Sequence, residues 1–136
     1  MSYALRDHTA DVAVEATGTT LGETFAAVAD GLTAAMCEDV PGGGERFSVS
    51  VTAESREALL FDYLDELIYQ RDVRGVLPAD NEAAVEERGG DWHLDGSARG
   101  VPLARVVARD VKAVTYSEMR VEPTNGGWTA YVVLDV

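Results

Sequence analysis

The clearest signal in the chain is strict alternation over Phe47-Ser48-Val49-Ser50-Val51-Thr52-Ala53. It predicts a half-buried strand with Phe47, Val49, Val51 and Ala53 on its apolar face. Two other segments carry the helical period. Leu21, Phe25, Val28, Ala29, Leu32 and Met36 recur at helical steps and predict a helix over 21–37. Thr20 and Glu23 form a capping-box pattern at its start. Gly31 should weaken this helix by up to ~1 kcal/mol relative to Ala. Leu60, Leu64, Leu67 and Ile68, with Leu59 and Tyr63 beside them, line one face of a second helix over 56–72. Ser55 can cap it and Gly75 closes it, while Asp62, Asp65 and Glu66 lie towards the other side.

The remaining periodic segments are short and read as strands: 3–6 and 12–16 near the start, then 83–87, 92–98, 111–116, 119–122 and 128–135. Gly89-Gly90 and Asn125-Gly126-Gly127 look like hairpin turns, and Pro41-Gly42-Gly43-Gly44 is a loop. Residues 102–108 match neither period. Trp92 and Trp128 are expected in the core. Cys37 is expected as a buried or half-buried small apolar residue. The pattern predicts an α+β fold: a single compact domain over 1–136, with two amphipathic helices packed on a mostly antiparallel β-sheet.

Composition narrows the partners. The 136 residues carry a formal net charge of −13, from 24 Asp plus Glu against 11 Lys plus Arg. Ten of the basic residues are Arg, and Lys112 is the only lysine. A chain with no basic cluster lacks the footprint used to grip phosphate backbones, which argues against strong direct binding of nucleic acid or an anionic membrane. The single cysteine excludes an internal disulfide framework. No apolar run approaches ~18 residues and no signal-peptide pattern opens the sequence, so the chain reads as soluble and cytoplasmic. The acidity has two readings: a cation-binding or acid-patch function, or adaptation to a high-salt, halophilic cytoplasm. The 12 Asp and 12 Glu are spread without a block of five or more. That spread, with the scarcity of lysine, favours the second.

Candidate chemistry is confined to a few places. No P-loop, dinucleotide-binding glycine pattern, HExxH, CxxC pair or nucleophile elbow occurs. His8 and His93 are too few for a His-rich transition-metal site built from one chain. The run Asp7-His8-Thr9-Ala10-Asp11 packs two carboxylates and an imidazole into five residues. It reads either as part of a hard divalent-cation site or as a solvated acidic loop. At the other end, Asp135 adjoins the carboxylate of Val136. If the last strand lies beside Asp11, three carboxylates converge into an oxygen-ligand site for Ca²⁺ or Mg²⁺. The alternative is a frayed strand end. Lys112 stands in a segment whose alternation puts it on one face with Val114 and Tyr116, and Val111, Ala113 and Thr115 on the other. It reads either as a specific contact to a carboxylate or phosphate, or as one lysine surviving without a role.

Four segments together resemble the archease family: Asp7-His8-Thr9-Ala10-Asp11-Val12; Leu59 to Tyr69 in the second helix; Lys112-Ala113-Val114-Thr115-Tyr116; and Val132-Val133-Leu134-Asp135-Val136. The resemblance implies a non-catalytic partner of the RtcB-type tRNA-splicing RNA ligase. Such a partner promotes guanylylation and multiple turnover of the ligase and can broaden its nucleotide use. It also implies a divalent metal, Ca²⁺ with Mg²⁺ or Mn²⁺ as alternatives, on Asp11, Asp135 and Val136. It further implies a functional lysine at Lys112, with Asp7, His8 and Thr9 in the neighbouring partner-binding run. One position departs: Ser117 stands where the family usually has His, which puts an acid–base role there in doubt. Two other functions stay open: a metal-dependent phosphoester hydrolase using Asp11 and Asp135, and a chaperone-like module for another nucleic-acid enzyme.

Overall fold

The computed structural model describes residues 2–8 and 11–136, with 6–8 described by backbone only. The chain runs β1 (Ser2–His8), β2 (Asp11–Gly18), α1 (Leu21–Met36), β3 (Glu45–Ala53), α2 (Arg56–Arg74), β4 (Val76–Arg88), β5 (Asp91–Pro102), β6 (Ala113–Thr124) and β7 (Gly127–Asp135). The strands form two sheets, ordered β1-β2-β7-β6 and β3-β5-β4, and every pairing is antiparallel. The α+β expectation holds, with two sheets where one was expected. The helices join them. α1 packs on β2 and β7 of the first sheet and on β4 of the second, and α2 on β6 of the first and β3 of the second.

Local chemistry sets the helix ends. The Thr20 hydroxyl accepts from the Glu23 N–H at 3.0 Å, and the Thr19 hydroxyl donates to the Glu23 carboxylate. That contact, more than a longer one at 3.3 Å from the Thr20 hydroxyl to the same carboxylate, holds the Glu23 carboxyl below its ordinary value. Ser55 accepts from the Ala58 N–H at 3.1 Å. Gly75, at φ 67°, takes the left-handed conformation that ends α2 and donates to the Arg71 carbonyl. This places the end of α2 at Arg74, two residues beyond the expected boundary.

α1 is not amphipathic in the expected sense. Nearly all of its side chains are buried, as befits a helix sandwiched between layers. Gly31 belongs to that packing. A Cβ built there would lie 2.5 Å from Val14 Cγ1, and Val14 is fully buried and stiff at χ1. Helix propensity alone says that Gly31→Ala stabilises by up to ~1 kcal/mol. The close approach reverses the sign: Gly31→Ala should destabilise by about 1–3 kcal/mol through overpacking. Urea melts of the two proteins decide this, and a raised midpoint in the variant would refute it.

Two strands, β4 and β6, differ most from the sequence expectation. β4 begins at Val76, not near residue 83, because a bulge between Ala79 and Glu82 breaks the alternation. Asp80 there has φ 46°, and Asn81 is buried. Asn81 donates through its N–H and Nδ2 to Asp30 Oδ1, both at 3.0 Å. Burial raises the Asp30 carboxyl pKa more than these bonds lower it. Pro78 is tolerated because β4 is an edge strand. The segments expected at 111–116 and 119–122 merge into one strand, β6, with a register break between Thr115 and Arg120. Residues 102–108 hold a short 3-10 turn, Leu103–Arg105, and then irregular chain. Trp92 and Trp128 are half-buried at the rim rather than in the core, and the Arg56 guanidinium lies 5.9 and 4.8 Å from their rings. Cys37 is buried as expected.

Candidate functional site at one end of the four-stranded sheet

The first sheet brings four chain segments to a common end. β1 and β2 form a hairpin whose last register pair is His8 with Asp11. The connection between them, Thr9 and Ala10, lies outside the described residues, as do the side chains of Asp7 and His8. β2 pairs next with β7, and there Asp11 stands directly opposite Asp135. β7 pairs with β6, and Ala113 stands opposite Asp135 from the other side. The Lys112 N–H donates to the Asp135 carbonyl at 2.8 Å. One row of the sheet, His8, Asp11, Asp135 and Ala113, therefore brings most of the candidates in the sequence to one end, with Val136 and Lys112 the chain neighbours of its last two members.

Residues directly opposite in an antiparallel pair project to the same side, with Cβ atoms ~4.5–5.5 Å apart. Asp11 and Asp135 are such a pair. Both are half-buried, as is Val136. The next pair inward, Val12 and Leu134, turns to the other face and joins the hydrophobic core. Apolar packing on one side thus fixes the register that aligns the carboxylates on the other. Like charges directly opposite are destabilising unless a neighbouring group offsets them. Asp11 also engages a further group in the fold.

Among the described residues no three His, Cys, Asp or Glu side chains gather closely enough to hold an ion by themselves. Two carboxylates are present, and the remaining ligands would be main-chain oxygens of Val136 and water. Such an all-oxygen set matches a hard divalent cation, which takes six to eight oxygens in flexible geometry.

Lys112 corrects one expectation. It precedes β6 rather than lying within it, so it does not share a face with Val114. Lys112 is exposed and Val114 is in the core. Tyr116 is half exposed, with its ring 5.6 Å from that of Phe61, and Ser117 is exposed. On α2, Asp62 and Asp65 face solvent, and Glu66 accepts from Gln70 Nε2 at 2.6 Å. Partial burial, and then the neighbouring Asp65, raise the Asp62 carboxyl pKa.

Beside this end of the sheet lies an open cleft of about 750 Å³. Leu5 and Val12 form one wall, Met36 and Cys37 the second, and the irregular chain from Arg105 to Arg109 the third. That chain is tied down where the Arg109 N–H donates to the Met36 carbonyl at 2.7 Å. It continues directly into Lys112. One residue that holds it was invisible in the sequence. Arg71 on α2 is buried, and its Nη1 donates to the Val111 carbonyl at 3.0 Å. No motif marks it; an arginine followed by Asp in a helix reads as a surface pair until the tertiary contacts are known.

A family model described as the archease protein family (MTH1598/TM1083) matches residues 3–136. The chain belongs to the archease family. Among its relatives, the protein archease of Thermococcus gammatolerans is 37% identical, with 96% of this chain and 95% of that protein covered. The archease of Archaeoglobus fulgidus is 36% identical over the full length of both. The archease of Pyrococcus furiosus is 33% identical, covering 96% and 95%. Among solved structures, the solution structure of Methanobacterium thermoautotrophicum protein 1598 superposes with a TM-score of 0.86 at 30% identity, over 99% of both chains. A crystal structure from Thermotoga maritima, described as an archease and possible chaperone, shares the fold with a TM-score of 0.65 at 21% identity, over 96% and 94%. Membership covers all four segments on which the resemblance was first read. Among the described residues, no helix of this archease-family chain is long and apolar enough to cross a membrane.

Proposed function

We propose that this chain is a non-catalytic activator of an RtcB-type RNA ligase and promotes the ligase's guanylylation through the end of the four-stranded sheet. The observation that carries it is the cross-strand pairing of Asp11 with Asp135, with Lys112 bonded through its N–H to the same Asp135. Asp11, Asp135 and Val136 would hold a divalent ion, Ca²⁺ in the first instance. When bound, the ion supplies positive charge for a phosphate or carboxylate oxygen of the partner complex. The chain's own contribution is to fix its two carboxylates in register and to present Lys112 next to them. An exposed ammonium there can pair with a phosphate or a carboxylate. Asp7 and His8 close β1 at this end of the sheet; they and Thr9, which lies outside the described residues, are assigned to partner contact.

The net charge of −13 supports an indirect route to RNA. A strongly acidic surface is repelled by tRNA but attracted to a basic RNA-binding enzyme. A purified ligase should show stimulated guanylylation with the wild-type chain, and a loss of stimulation with Asp11→Ala, Lys112→Ala and Asp135→Ala. Full stimulation by all three variants would sink the proposal. Turnover of a phosphoester by the isolated chain would replace it with a hydrolase.

A further inference from the structure

We propose that Arg71 is a positioning residue for Lys112. The inference rests on the reading of Lys112 as a functional group and adds how this chain places it. Lys112 stands at the end of an irregular connection that runs from the 3-10 turn at Leu103–Arg105 to the start of β6. Such a connection has no sheet or helix of its own to fix it. Its last residues are held from below by one side chain. Arg71 is 9% exposed and spreads its guanidinium over three elements. Nη1 donates to the Val111 carbonyl at 3.0 Å and lies 3.4 Å from Met36 Sδ on α1. Nη2 is 3.5 Å from Asp110 Oδ1, and Nε donates to Asp72 Oδ1 at 3.0 Å. Val111 itself is fully buried.

The contacts therefore bracket the residue that matters. On one side of Lys112, Arg71 grips Asp110 and the Val111 carbonyl. On the other, Ala113 enters the sheet opposite Asp135. Between them the Lys112 N–H reaches the Asp135 carbonyl. Arg71 thus connects α2 to the lysine and, through that bond, to the strand that carries one of the two paired carboxylates. Only a planar, five-donor fork can serve these acceptors together; an ammonium on a similar stem cannot span them.

The test uses the full chain and four variants. Arg71→Met removes the fork while keeping a long apolar stem beside Met36. Arg71→Lys keeps the charge without the fork. Lys112→Ala removes the lysine. Val49→Ala, in the core of the other sheet, reports a loss of stability that leaves residues 110–112 alone. The first readout is hydrogen exchange of the Lys112 amide, which needs neither metal nor ligase. It should be protected in the wild type and exchange at least ~10-fold faster in Arg71→Met, with Arg71→Lys giving no rescue and Val49→Ala no selective change. The second is ligase guanylylation. Arg71→Met should reproduce the defect of Lys112→Ala, and the double variant should be no worse than Lys112→Ala alone, because the two residues act in series. Losses that multiply, or a Lys112 amide whose exchange Arg71→Met leaves unchanged, overturn the proposal. If Lys112→Ala stimulates like the wild type, the functional reading of the lysine fails, while the exchange data still decide whether Arg71 positions it.

Discussion

Asp135→Asn should weaken Ca²⁺ binding by about 100-fold or more, measured by calorimetric titration of the isolated chain. Loss of a partner that only orients a metal ligand already costs ~10–100-fold in affinity, and Asp135 would be a ligand itself. The variant should also show a second effect of opposite sign. In the absence of Ca²⁺, neutralising one member of the Asp11–Asp135 pair relieves a like-charge contact across the strands. The ion-free protein should therefore gain on the order of 0.2–1 kcal/mol in stability. Wild type and variant would then cross over: the variant melts higher without Ca²⁺, and the wild type melts higher with it, because ligand binding to the native state alone raises its stability. An ordinary structural role for Asp135 predicts a lower melting temperature under both conditions. Equal Ca²⁺ affinity in the two proteins would remove the ion from the proposed function.

The second large effect concerns salt. The melting temperature should rise by about 10 °C or more between ~0.1 and ~2 M KCl, since a few kcal/mol moves Tm by this much in a domain of this size. The chain holds 24 acidic against 11 basic residues. Several arginines are already engaged by nearby carboxylates: Arg99 with Asp80, Arg88 with Glu86, Arg120 with Glu122. Compaction therefore forces excess negative charge together. The Debye length falls from ~10 Å at 0.1 M to ~3 Å at 1 M, so salt removes most of that repulsion. A charge-reduced variant separates screening from a general salt effect. Glu45, Glu54, Glu87 and Asp91 are all exposed, and amides at these four positions should flatten the slope of Tm against KCl. A wild-type Tm that is highest at low salt would refute the halophilic reading.

What the sequence revealed, and what it hid, follows from how locally each feature is determined. The strand at Phe47–Ala53 was readable because one of its faces is buried and the other solvated, the condition under which a period of two is visible. β4 was not, because its bulge at Ala79/Glu82 shifts the alternation and its Pro78 imitates a loop. The near-total burial of α1 was hidden by its many Ala and Gly residues, whose size lets them pack closely without announcing a second apolar face. Lys112 was placed on the wrong face because alternation was extended beyond the first residue of β6. The candidate ion site was legible as residue types but not as a place. Nothing local in Asp11 or Asp135 says that they are neighbours; sheet order decides that. Arg71 was wholly silent, since its significance lies in carbonyl and carboxylate oxygens far along the chain.

The order β1-β2-β7-β6 also has a kinetic meaning. The two carboxylates stand on β2 and β7, strands far apart in sequence, so their meeting closes a long loop. Such contacts are entropically expensive to close and tend to form late. An ion held there would latch the long loop that runs from β2 to β7. During synthesis, a nascent chain with β1 and β2 emerged but β7 still inside the ribosome would carry only half of the site. Ion affinity would then report the docking of β7 against β2.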